Sequence, residues 1–251
     1  KTSTEHALAK VPEVTLGFWL IMIAATTLGE TGGDAVSMSM NLGYLVGTAI
    51  FAAIFLAAVV AQVKAKDFHP FLYWTTIIAT TTVGTTLADF ADRSLGIGYA
   101  GGSSLLLALL LGSLFVWHRT LGSVSVSTVS SPKAEAFYWL TIMFSQTLGT
   151  ALGDWTADTA GLGYTGAAVV FGGLLALVVA AYYWTSVSRT LLFWAAFILT
   201  RPLGAVVGDF LDKPVSAGGL ALSRYSASAA LLTFIVVAIL LFRQRAARTA
   251  H

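Results

Sequence analysis

The chain has 251 residues, 57% of them apolar and only 10% charged, with a formal net charge of +2, and its mean hydropathy is +0.80. A soluble domain carries about 25% charged residues, so a water-facing globule is excluded. With no cysteine in the chain, disulfides and thiolate metal sites are excluded as well.

Apolar runs of about 20 residues are candidates for transmembrane helices. Eight are predicted, at 14–36, 42–64, 70–92, 97–118, 135–157, 163–185, 190–212 and 220–242. Residues 1–13 form a short polar lead ending at Pro12-Glu13. The first span is too long for a removable signal peptide and lacks a small-residue cleavage site. The spans pair into hairpins, and the second member of each pair is the more uniformly apolar. Ala49 to Leu56 and Leu105 to Leu111 carry no polar side chain and read as lipid-facing or packing helices. Gly166-Ala167-Ala168 and Gly172-Gly173 would let helices approach closely. The Ser-rich stretch 121–132 is read as a flexible cytoplasmic linker. Lys1, Lys10, Lys64, Lys66, Arg119, Lys133, Arg189, Arg243, Arg245 and Arg248 fall at the termini or between hairpins. Arg93, Lys213 and Arg224 fall near the turns within hairpins, and Arg201 falls inside a helix. The positive-inside rule then places both termini and the loops between hairpins in the cytoplasm.

The pattern Trp-x9-Gly-x4-Asp occurs four times, as Trp19/Gly29/Asp34, Trp74/Gly84/Asp89, Trp139/Gly149/Asp154 and Trp194/Gly204/Asp209. Leu28, Val83, Leu148 and Leu203 precede the glycines. Gly43-Tyr44, Gly98-Tyr99 and Gly163-Tyr164 begin 24 residues after their tryptophans, where the last copy has Gly218-Gly219. Residues 1–251 are therefore one transmembrane domain of four repeats, at approximately 10–66, 69–120, 133–186 and 189–245. Two helices per repeat keep every copy in the same orientation, which predicts an all-α protein with pseudo-fourfold symmetry about the membrane normal. Four tandem two-helix repeats, each with a tryptophan, resemble the bacterial membrane-protein family defined by the repeat of unknown function DUF347. That resemblance implies an architecture and no chemistry.

Positions three or four apart share a helix face. The first stripe is Trp19, Ile23, Thr26, Glu30, Asp34 and Ser37, and the second Trp74, Ile78, Thr81, Thr85, Asp89 and Asp92. The third is Trp139, Met143, Gln146, Thr150, Asp154 and Asp158, and the fourth Trp194, Ile198, Arg201, Ala205, Asp209 and Asp212. Fifteen residues of helix put each Asp about 22 Å beyond its Trp, inside a hydrocarbon core about 30 Å thick. Acids at that depth usually face a bundle interior or a water-filled cavity. Glu30, Asp34, Asp89, Asp154 and Asp209 are the expected cation or metal ligands, with Thr26, Thr81, Gln146 and Thr150 as neutral oxygens. Arg201 is the expected counter-charge, paired with Glu30, Asp34 or another acid. The competing readings are interhelical glue or loop-edge acids for the aspartates, and a static lock for Arg201.

Trp19, Trp74, Trp139 and Trp194, preceded by Phe18, Tyr73, Tyr138 and Phe193, suit an interfacial aromatic belt, packing or an inner gate, or a cage for an organic cation. Packing or gating is preferred. His6, His69, His118 and His251 fall at helix ends or tails, so oxygen ligands predominate and suit hard cations such as Mg²⁺, Mn²⁺, Ca²⁺ or Na⁺. The stretch 29–34, Gly-Glu-Thr-Gly-Gly-Asp, is similar to the Glu-x-Gly-Asp motifs of cation/proton exchangers and favours a divalent ion. The expected function is proton-coupled secondary transport of a small hard cation. Its partners are the bilayer, the cation and protons; no nucleic acid and no cofactor are expected. Alternatives are an organic-cation exporter with a Trp-lined cavity and a non-transporting scaffold or assembly protein. A carboxylate cluster without a nucleophile or cofactor motif does not point to an enzyme.

Overall fold

A computed structural model describes residues 9–94, 96 and 98–247. Lys1, His6, Arg248 and His251 lie outside the described residues. Eight long helices account for the described chain: α1 (Leu16–Asp34), α2 (Gly43–Lys64), α3 (Pro70–Asp89), α4 (Tyr99–Leu121), α5 (Pro132–Asp154), α6 (Gly163–Trp184), α7 (Arg189–Asp212) and α8 (Arg224–Leu241). The odd-numbered helices begin on local signals. Thr15, Ser131 and Ser188 accept hydrogen bonds from backbone N–H groups three residues on, and Pro70 and Pro132 occupy first-turn positions that need no N–H partner. In the first three repeats the recurring aspartate is the last α-helical residue before a π-helical turn, at Ala35–Ser39, Phe90–Ser94 and Trp155–Thr159. The glycine of each Gly-Tyr landmark follows with φ of 77°, 77° and 64°, a turn conformation costly for any side chain.

The odd helices form the inside. α1 packs on α3 and α7, and α5 packs on the same two, so α1, α3, α5 and α7 close a ring. The even helices lie outside it, but not on their own repeat: α2 packs chiefly on α3, α4 on α5, α6 on α7 and α8 on α1. The hairpin is thus a unit of sequence and not of packing. Each outer helix staples its repeat to the next.

The repeated glycines explain how the ring closes so tightly. Gly29 faces Thr81, Gly84 faces Gln146, Gly149 faces Arg201 and Gly204 faces Thr26, and a Cβ built on any of the four would lie under 3.0 Å from its neighbour. Each glycine is the socket for the same stripe position of the following repeat, and the fourth socket receives the first repeat. One turn on, Gly33 faces Thr85, Gly153 faces Ala205 and Gly208 faces Glu30. These are small-xxx-small contacts of the kind that draw membrane helices together.

Five helices, α2, α4, α6, α7 and α8, are long and apolar enough to cross a membrane, where eight were expected. α1, α3 and α5 fall short because their buried faces carry Thr, Gln and acids. Outside the ring, α2, α4, α6 and α8 expose rows of Leu, Ile, Val and Phe, the surface of a membrane protein.

The end of the ring that carries the tryptophans is filled and capped. Phe18, Tyr73, Tyr138 and Phe193 are buried, with the Tyr73 and Tyr138 hydroxyls 2.6 Å apart. They fill the interior, as the preferred packing reading has it and not as an interfacial belt, because their helix face is turned into the ring. Trp74, Trp139 and Trp194 are buried beside them, and Trp19 only partly. Over this layer lie three segments. Lys10 N donates to Val129 O at 2.9 Å, Glu13 N to Arg245 O at 2.8 Å and Ala247 N to Val11 O at 2.9 Å. Stretch 121–132, expected as a flexible linker, is instead docked here, with Val126 and Val129 buried because their side chains join the aromatic core.

Candidate functional site

The stripes occupy repeat-equivalent levels of the ring. The level nearer the aromatic layer holds Thr26, Thr81, Gln146 and Arg201, all fully buried. The next holds Glu30, Thr85, Thr150 and Ala205, and the last holds Asp34, Asp89, Asp154 and Asp209, all buried.

Arg201 links the four inner helices. From α7 its Nη2 donates to Glu30 Oε2 on α1 at 3.0 Å and to Thr85 Oγ1 on α3 and Thr150 Oγ1 on α5 at 2.5 Å each. Its Nη1 donates to Thr26 O at 3.4 Å. Ala205 takes the fourth place at the Glu30 level and leaves room for the guanidinium. Thr26 therefore contributes its carbonyl, while its hydroxyl donates to Ile23 O at 3.0 Å. Thr81 Oγ1, both side-chain polar atoms of Gln146 and Arg201 Nε are buried without a hydrogen-bond partner, a cost that ordered water or a polar guest would relieve.

At the last level the acids share cations. Arg93 Nε lies 2.9 Å from Asp89 Oδ1, and its Nη2 lies 3.6 Å from Asp154 Oδ2. Lys213 Nζ pairs closely with Asp34, and sits 3.0 Å from Asp209 Oδ1 and 4.0 Å from Asp212 Oδ1. Arg224 Nε reaches Asp212 Oδ2 at 3.1 Å and Asp34 Oδ2 at 3.8 Å. Lys213 and Arg93 stand in the connections that follow α7 and α3. Burial alone would favour the neutral form of each. At Lys213 the carboxylates of Asp209, Asp34 and Asp212 outweigh it, and at Arg93 those of Asp89 and Asp154 do, so both bases are held above their ordinary values.

Two sets of carboxylates are close enough to share an ion. Oxygens of Glu30, Asp34 and Asp89 lie within 4.8 Å of one another, as do those of Asp34, Asp209 and Asp212. Asp34 belongs to both, and its Oδ1 has no hydrogen-bond partner. Asp154, an expected ligand, joins neither set and is held through Arg93. Asp158 is exposed and stands apart. Sequence reasoning missed Arg93, Lys213 and Arg224 as members of the site and used them for topology alone. The available signal was spacing, since Arg93 and Lys213 each follow a repeated aspartate by four residues, one helical turn.

Clefts occur at the opposite end. One of about 490 Å³ is lined by Trp19, Ile23, Val178, Ala196 and their neighbours, and one of about 370 Å³ lies beside Trp194. Neither reaches an acid of the site.

No curated protein and no solved structure matches the chain. The family described as Repeat of Unknown Function (DUF347) matches it at residues 17–68, 72–123, 137–188 and 192–247, so the pattern runs the length of the helical ring, and the chain belongs to the DUF347 repeat family.

Proposed function

We propose that this protein is a proton-coupled secondary transporter of a small hard cation, divalent by preference. In this reading all eight helices span the membrane, with a pseudo-fourfold axis along its normal and both termini in the cytoplasm. The observation that carries the reading is an excess of buried acid. Among the described residues, Glu30, Asp34, Asp89, Asp154, Asp209 and Asp212 are served by only Arg201, Arg93, Lys213 and Arg224. Buried carboxylates in excess of their cations hold protons or recruit a cation, and exchange of one for the other is the chemistry of coupled transport. The seam between α1 and α3, with Glu30, Asp34 and Asp89, is the preferred ligand set, because oxygen donors suit hard ions. Arg201, fixed to Glu30 and to every inner helix, argues against an open pore along the ring and for a carrier that changes shape.

A second reading rests on a separate observation. Each of the six acids touches at least one protein cation, as expected of a scaffold locked by ion pairs. Proteoliposomes separate the two. With a pH-sensitive dye inside, an imposed Mn²⁺, Mg²⁺, Ca²⁺ or Na⁺ gradient should drive proton movement through the parent protein. Asp34→Asn and Asp89→Asn, reconstituted at equal density, should abolish it. A parent that moves no protons with any of these ions, or variants that equal it, would leave the scaffold.

A further inference from the structure

The ring has four repeat-equivalent gaps at its Trp end, each between an outer helix and the inner helix beyond its packing partner. Three are crossed by segments of the chain itself. In the gap between α2 and α5, Lys10 Nζ donates to Gln62 O at 3.3 Å and Val63 O at 3.0 Å, and pairs with Glu135 at 2.7 Å. The gap between α4 and α7 is crossed by the 121–132 segment, where Val124 O accepts from Trp194 Nε1 at 3.0 Å, and the cleft of about 370 Å³ remains beside it, lined by Leu114 and His118 of α4 and Leu191 of α7. At the gap between α8 and α3 the C-terminal segment places Gln244 Oε1 3.2 Å from Trp74 Nε1. The fourth gap, between α6 and α1 over α7, has no such segment among the described residues. The cleft of about 490 Å³ lies there, and Trp19, which lines it, is the one repeat tryptophan that is not buried.

The lining identifies the occupant. Trp19, Ile23, Val178 and Ala196 make an apolar wall, and Arg189 at the mouth is the only charged side chain in the lining. Arg189 is exposed and lies over the Tyr182 ring, 4.1 Å from its centroid. Tyr182, Tyr183 and Trp184 beside it are exposed, as in an aromatic girdle at a membrane interface. We propose that this groove is a lipid-binding site: an acyl chain of an anionic phospholipid fills the gap that protein segments cross in the other repeats, and its phosphate pairs with Arg189. A single-sign basic mouth over a hydrocarbon-sized slot is the arrangement by which membrane proteins select anionic headgroups. The inference stands apart from the cation reading, since none of the buried acids takes part.

The test uses the full chain in neutral detergent, titrated with phosphatidylglycerol or phosphatidylcholine carrying brominated acyl chains, which quench nearby indoles. The parent should show a saturable quenching component that Trp19→Phe removes. Phosphatidylglycerol should be preferred by about fivefold, the effect of one basic residue at an anionic surface. Arg189→Gln should keep the component and lose the preference. Ala196→Phe, which fills the groove and leaves Trp19 in place, should remove the component; Ile23→Phe serves if that variant does not fold. A parent without a Trp19 component, or one unchanged by either filling variant, would overturn the site. Equal half-saturation for the two lipids would overturn the anionic ligand.

Discussion

Arg201→Met is the most informative single change. Methionine keeps the unbranched stem that packs over Gly149 and removes only the guanidinium, stranding Glu30 and leaving Thr85 and Thr150 without their donor. Breaking a buried ion pair by removing one partner costs about 3–5 kcal/mol. In a chain of this size each kcal/mol lowers the melting temperature by about 2–4 °C, so the variant should melt roughly 6–20 °C below the parent in the same detergent. The double variant Arg201→Met/Glu30→Leu removes the stranded charge as well. Replacing both partners of a buried pair by apolar groups is often nearly neutral, so the double variant should recover most of the loss. The assay is thermal unfolding of purified parent, Arg201→Met, Glu30→Leu and the double variant, read as a double-mutant cycle. If the double variant melts as low as Arg201→Met, or if Arg201→Met melts with the parent, Arg201 and Glu30 are not the energetic centre of the ring.

Gly204→Ala should cost about 1–3 kcal/mol by overpacking against Thr26, whereas Gly172→Ala, whose added methyl would meet nothing within 4 Å, should melt with the parent; equal melting of both would remove the socket account. Lys213→Met leaves Asp209 without its cation and Asp34 and Asp212 with Arg224 alone, and should bring out or strengthen stabilisation by a divalent ion, about 2.7 kcal/mol at a hundredfold excess over Kd; an unchanged response would mean that the ammonium does not occupy a cation site. The chain has no native cysteine, so single cysteines at Lys66 and Ser188 should label from the cytoplasm and one at Ser94 from the other side. Labelling of Ser94 and Ser188 from the same side would break the proposed topology.

The ring was legible because one register recurs. Trp, Gly and Asp at fixed separations in four copies can be satisfied together only if each copy meets the next in the same way, and the glycine sockets are that meeting. Arg201 in an apolar helix pointed to a carboxylate partner, and Glu30 is that partner. Other features had no local signature. A hairpin pattern says nothing about whether its second helix lies on its own repeat or the next one, since both burials suit the same apolar residues. The docked segments at the Trp end are short and mixed in polarity, so Val11, Val126 and Val129 show no periodicity that marks them as core. The sharing of Arg93, Lys213 and Arg224 depends on contacts between repeats, such as Arg93 with Asp154 and Lys213 with Asp34, which spacing within one repeat does not encode.

The charges also break the symmetry of the backbone in a way that bears on mechanism. Four equivalent aspartates at one level would repel, and the chain resolves this in pairs. Arg93 joins Asp89 of the second repeat to Asp154 of the third, and Lys213 joins Asp209 of the fourth to Asp34 of the first. Both cations come from even-numbered repeats and reach into the next one, so the Asp level joins the repeats two by two. The seam between α1 and α3 has no such bridge at this level, and there Glu30, Asp34 and Asp89 come within 4.8 Å of one another. In the proposed transporter a cation entering that seam draws on Asp34 and Asp89 together, and so competes with Lys213 and Arg93 at the same time. Occupying one seam would then loosen the bridges at two others, which couples binding to opening of the ring through electrostatics alone.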